Sequence, residues 1–158
     1  MGRSRGGLTT KIHLLCDRQG FPLAHCLSPG QHADSRYFKA LLEQVRLPGT
    51  SGRPRTRSRY IIADKGYDSD DLRHYCTRYG MRPIIPYRRM HRRPRRGLLH
   101  QFDRPKYRQR NIVERVFGWL KEKRHFTTRY DKLAKSFGAM VTLACIERCM
   151  RANFSDRT

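Results

Sequence analysis

From Leu8 to Cys16 the chain alternates strictly. Leu8, Thr10, Ile12, Leu14 and Cys16 share one face, and Thr9, Lys11, His13 and Leu15 share the other. A period of two is the signature of a β-strand. Asp17-Arg18-Gln19-Gly20 then supplies turn residues, and Phe21 to Leu27 forms a second strand closed by Ser28-Pro29-Gly30. A hairpin this close to the start rules out an all-helical fold and demands later elements to cover one face.

The period then changes. Asp34 or Ser35 can cap a helix whose apolar positions are Tyr37, Phe38, Leu41, Leu42 and Val45, ended by Pro48-Gly49. Tyr60-Ile61-Ile62-Ala63 is a short buried strand running into Asp64-Lys65-Gly66. Asp68 and Ser69 can cap a second helix, with Leu72, Tyr75, Cys76 and Tyr79 inward and Gly80 as its stop. Arg82 to Pro86 reads as an edge strand because of its two prolines. Tyr87 to Gln101 is a basic loop. Asp103 caps a long helix reaching about Arg124, and a last helix runs from about Ala134 to Ala152 with Phe137, Met140, Val141, Ala144 and Cys145 inward. Strand, strand, helix, strand, helix, strand, helix, helix predicts an α/β fold: one domain over residues 1–158, with a mixed sheet flanked by helices. The hairpin begins so early that a preceding partner strand is expected to be lacking.

Charge narrows the function. The chain of 158 residues carries 35 Lys and Arg against 13 Asp and Glu, a formal net charge of +22. A folded domain with that excess repels itself unless a polyanion neutralises it, and DNA or RNA is the expected partner. At 37% hydrophobic residues it is too apolar for a disordered basic tail. No run of about eighteen apolar residues exists, which excludes a membrane-spanning helix, and the start carries no secretory signal. Five cysteines without a CxxC pair point to reduced thiols in a cytoplasmic setting.

Two carboxylates could carry chemistry. On the helix after Asp103, Tyr107, Arg110, Glu114 and Lys121 fall within an arc of about 60° at roughly 100° per residue. Ile112, Val113, Val116, Trp119 and Leu120 occupy another arc, so one side packs and a narrow stripe holds an acid among cations. Asp64 ends a strand, where open α/β sheets place ligands. A carboxylate pair amid positive charge suits magnesium, and two such ions about 3.5–4 Å apart can assist both attacking and leaving oxygens. The ordinary reading of each is plainer: Asp64 as a cap, Glu114 as a surface ion pair worth under about 1 kcal/mol. Arg88, Arg89, Arg92 and Arg93, with Arg95 and Arg96, form a run suited to phosphate backbone, and Arg53, Arg55, Arg57 and Arg59 a softer version. Trp119, Cys145 and Cys149 read as packing residues. His13, Cys16, His25 and Cys26 lack zinc-ligand spacing. Ser28 lacks the GxSxG context of a hydrolase.

Tyr107-x2-Arg110-x3-Glu114-x6-Lys121 resembles the Tyr-Arg-Glu-Lys signature of insertion-sequence DDE transposases of the family 4/5 superfamily. Gly2 to His13, Pro29-Gly30-Gln31, Ala63 to Ser69 and Thr128 to Lys132 resemble that family's other blocks in the same order. The resemblance implies a ribonuclease H-like core and metal-dependent (Mg2+ or Mn2+) cleavage at transposon ends. Attack of the freed 3′-hydroxyl on target DNA would follow. Asp64 would be the second acidic residue of the triad and Glu114 the third, both metal ligands. Tyr107, Arg110 and Lys121 would position end DNA. The first acidic residue would lie upstream of Met1, because Asp17 and Asp34 do not match its place. The chain is therefore expected to be the C-terminal part of a catalytic domain. It would need an upstream segment, be inactive alone, and act on DNA in a bacterial nucleoid, with a homodimer as its working form. The competing expectation is a non-catalytic basic DNA- or RNA-binding domain.

Overall fold

The computed structural model describes residues 2–4, 7–49, 52–88, 102–124, 126 and 133–154. They form two units. The first comprises Met1–His32 and Asn111–Thr158, the second Ala33–Arg110.

In the first unit the alternating segment is strand β2 (Gly7–Cys16), paired antiparallel with β3 (Pro22–Pro29). The register puts His13 opposite Cys26 and Ile12 opposite Leu27. Gly20, at φ 87°, makes the turn, and Asp17 Oδ1 accepts the amides of Gln19 and Phe21. A short strand β1 (Gly2–Ser4) pairs back onto Gly7–Thr9, so β2 pairs with β1 at its start and with β3 from Thr10 onward.

Helix α4 (Asn111–Glu122) and the last helix, α5 (Ala134–Phe154), belong to this unit. Val116, Leu120 and Ala144 form a buried cluster, with Leu14, Phe117, Trp119 and Phe126 packed against it. Trp119 is thus part of the core margin. The expected inward face of α5 is buried at Phe137, Val141 and Ala144, while Met140 and Cys145 are half-buried.

In the second unit a 3-10 turn, Asp34–Tyr37, leads into α1 (Phe38–Glu43). The expected cap does not form: Ala33 occupies the cap position and no side chain bonds there. The helix is also shorter than its apolar spacing suggested, ending well before Pro48, although Phe38, Leu41, Leu42 and Val45 are all buried. Strand β4 (Tyr60–Ile62) pairs parallel with β5 (Arg82–Ile84) across α2 (Asp70–Arg78). The strands thus assemble as a three-stranded antiparallel and a two-stranded parallel sheet. Helix α2 stops where Gly80 adopts φ 72°, the left-handed conformation that glycine accepts without steric cost.

The long helix expected from Asp103 to Arg124 is interrupted. Asp103 does cap it, accepting the Lys106 amide at 3.0 Å. However, α3 (Arg104–Tyr107) gives way to a 3-10 turn at Arg108–Arg110 before α4 begins. Two like-charged pairs at i,i+4 spacing, Arg104/Arg108 and Lys106/Arg110, cross this break, and Asn111-Ile112-Val113 beyond it are weak helix formers.

Candidate active site

Asp64 follows the apolar strand β4 after a single residue, Ala63. Its backbone is still extended, at φ −77° and ψ 174°, and it caps a 3-10 turn, Lys65–Tyr67. The turn is built by Gly66, whose amide donates to Asp64 Oδ1 at 2.7 Å. A Cβ on Gly66 would sit 2.8 Å from that oxygen, so only glycine leaves the carboxylate where it is. Tyr67 ends the turn, its ring 5.8 Å from Phe38 of α1. Asp64 is half-buried, and among the described residues its Oδ2 accepts no hydrogen bond. Asp64 thus caps the turn through one of its two oxygens.

Asp34 lies beside this turn. The same Gly66 Cβ position is 3.6 Å from Asp34 Oδ2, so the two carboxylates flank one glycine. From the sequence alone Asp34 reads as a helix cap. The Asp34–Tyr37 turn packs against Lys65–Tyr67, a contact that no periodicity announces.

Arg88 also reaches the turn. Its Nε donates to Lys65 O at 3.0 Å and its Nη2 to Gly66 O at 2.9 Å. Its amide donates to Asp68 Oδ2 at 2.7 Å. Asp68 Oδ1 in turn accepts Arg73 Nη2 at 2.8 Å, and Arg73 Nη2 also bonds Ile85 O at 2.7 Å. Arg73 is 1% exposed and its guanidinium lies 4.1 Å from the Tyr87 ring. It had no place in the apolar face read for α2, whereas Tyr79, assigned to that face, is exposed and stacks against Arg57 at 3.5 Å.

The four signature residues fall as two pairs. Tyr107 and Arg110 lie in the second unit, with the Arg110 guanidinium 5.8 Å from the Tyr107 ring. Three residues apart across a 3-10 turn, they nearly eclipse each other. Glu114 and Lys121 lie in the first unit on α4, seven residues and about 20° apart, both exposed. Asp64 belongs to the second unit and Glu114 to the first. Arg89, Arg92 and Arg93, and the Thr128–Lys132 block, lie outside the described residues.

Ion pairs tune the surrounding acids. Lys106 hydrogen-bonds Asp103 and holds its carboxyl below the usual range, and Lys123 does the same to Glu147. On the hairpin, His13 Nε2 and Ser28 Oγ are both buried and 2.7 Å apart, and His25 lies 3.4 Å from Thr142 Oγ1. Among the described residues no three His, Cys, Asp or Glu side chains gather as a metal-binding group. No helix of the described residues is long and apolar enough to cross a membrane.

The family model described as Transposase DDE domain matches residues 2–146. The chain belongs to this family. It is 32% identical over 148 residues to a Burkholderia cepacia protein named as a transposase for insertion sequence element IS402. That match covers 93% of this chain and 64% of the relative, so the chain spans less than two thirds of that protein. It is 28% identical over 138 residues to a Brucella ovis protein named as a transposase for insertion sequence element IS6501, covering 87% of this chain and 95% of that one. No solved structure gives a significant match. Membership of the DDE family implies use of a divalent metal in general terms. The donors of the second unit fit such an ion in kind: hard carboxylate oxygens, of which magnesium needs only one or two besides water and phosphate.

Proposed function

We propose that this chain is a catalytic segment of an insertion-sequence transposase of the family 4/5 type with a ribonuclease H-like core. It would cleave DNA at transposon ends and join them to target DNA. What carries the reading is the Asp64 turn: a carboxylate fixed just past a parallel strand through one oxygen, with the other accepting no hydrogen bond among the described residues. Asp64 and Glu114 would hold a divalent cation, magnesium or manganese. When bound, such an ion supplies Lewis-acid activation and charge neutralisation for phosphoryl transfer. Tyr107 and Arg110, whose ring and guanidinium lie 5.8 Å apart, and Lys121, exposed on α4, would hold the phosphates of the end DNA. Arg88, Arg89, Arg92 and Arg93 would follow the backbone of the same duplex. A second copy of the chain on the other transposon end, and an upstream transposase segment, complete the proposed working assembly.

The test is strand transfer by a complete enzyme containing this segment. Asp64→Ala or Glu114→Ala is expected to abolish transfer while duplex affinity changes less than about threefold. Retained transfer removes that residue from the mechanism. Magnesium-independent duplex binding with no nicking under any assembly would instead favour a non-catalytic DNA- or RNA-binding role.

A further inference from the structure

Arg88 has an unusual set of partners for a member of a basic run. Its fork spans two successive carbonyls, Lys65 O and Gly66 O, immediately after Asp64. Both belong to the turn whose Gly66 amide fixes the Asp64 carboxylate. The Arg88 backbone is itself fixed, because its amide donates to Asp68 Oδ2. Asp68 is anchored by the buried Arg73, which is tied to Ile85 just beyond β5. Strand β5 pairs with β4, the strand that delivers Asp64. Hydrogen bonds and the short chain segments between them therefore link the Lys65–Gly66 turn through Arg88, Asp68, Arg73 and the parallel pair back to Asp64.

We infer that Arg88 is a positioning residue for Asp64, pinning the Lys65–Gly66 turn with its guanidinium. The inference rests on the proposed role of Asp64. A guanidinium suits the task because it is planar and presents donors in a rigid fork; an ammonium is a point charge that cannot span two carbonyls in that way. Among the described residues Arg88 commits Nε and one Nη2 hydrogen, so the outer edge of its exposed guanidinium can still meet a phosphate. A single side chain would then join the start of the basic run to the carboxylate turn, and DNA held by that run would stiffen the turn.

Charge and fork are separable by Arg88→Lys and Arg88→Ala in this chain, labelled with 15N. The readouts are hydrogen exchange at the Gly66 amide, broadening of that resonance by Mn2+, and duplex affinity against salt. In both variants the Gly66 amide is expected to lose about tenfold in protection. Mn2+ broadening at Gly66 is expected to need about tenfold more metal, the usual scale for losing an orienting partner. Arg88→Lys keeps the positive charge, so its salt slope should fall by less than that of Arg88→Ala while the Gly66 readouts change equally in both. Far-ultraviolet dichroism and the thermal midpoint check that each variant folds. The inference is overturned if Arg88→Lys behaves as wild type at Gly66 and Arg88→Ala changes only duplex affinity, lowering the salt slope by about one contact. Asp64→Asn separates the two levels. Mn2+ broadening that persists in it removes Asp64 as a ligand, while Gly66 protection still reports whether Arg88 holds the turn.

Discussion

A guanidinium that is 1% exposed has to be matched by charge and hydrogen bonds, and Arg73 obtains both from Asp68 and Ile85 O. Breaking such a pair on one side strands a buried charge, which costs about 3–5 kcal/mol. Asp68→Ala is expected to destabilise the chain by that amount in urea unfolding, and replacing Asp68 and Arg73 together by apolar residues should recover much of it. A loss under about 1 kcal/mol would show that water reaches the guanidinium. The cysteines make a second residue-scale case. Burial pushes the thiols of Cys16, Cys76 and Cys145 up to about 11. At pH 8 only about a thousandth of each is thiolate, against a substantial fraction for a free thiol near 8.5. Their reaction with a disulfide reagent should therefore be slow at pH 8 and climb about tenfold per unit toward pH 11. Because the folded value lies above the unfolded one, the stability tied to these protons is complete below about 8.5. It is lost as pH rises through about 11. A urea midpoint unchanged across that window would contradict the burial.

At the scale of elements, what the sequence declared was periodicity. The alternation of Leu8–Cys16 became β2, and the helical spacing around Val116 and Leu120 became the packed face of α4. Leu120 is 1% exposed in that cluster, and Leu120→Ala is expected to cost about 2–5 kcal/mol by thermal or urea unfolding. A cost near zero would mean the cluster collapses around the gap. What periodicity could not show was the 3-10 break at Arg108–Arg110, because an unbroken apolar spacing hides like-charge pairs on the polar side. Nor could it show Asp34 beside Asp64, or Arg88 bonded to Lys65 and Gly66 from more than twenty residues away. The glycine between the two acids supplies an element-scale test. Gly66→Ala places a methyl 2.8 Å from Asp64 Oδ1, so the carboxylate or the turn must move. Strand transfer by the complete enzyme should fall at least tenfold with duplex affinity unchanged, and full activity would show that the position of Asp64 is not critical.

For the whole molecule the governing quantity is a net charge of +22, legible from composition alone because it needs no geometry. Each phosphate neutralised by Lys or Arg releases condensed counterions, so log K falls with log salt at about −0.9 per contact on B-form DNA. Exposed Arg53, Arg55, Arg57 and Arg59, together with the run from Arg88 to Arg96, give enough cations for six or more contacts. Duplex affinity is therefore expected to fall by about a thousandfold or more between 50 and 200 mM salt. Replacing Arg89, Arg92 and Arg93 together by Ala should lower the slope by about three contacts. Asp64→Asn and Glu114→Gln should leave the slope unchanged, since a carboxylate that serves chemistry adds nothing to counterion release. This asymmetry separates binding from catalysis in one titration series. A slope near zero would remove phosphate contact as the purpose of the charge. A slope altered by the acidic variants would mean that those acids repel backbone phosphates in the complex, as groups beside the DNA and not as holders of a cation.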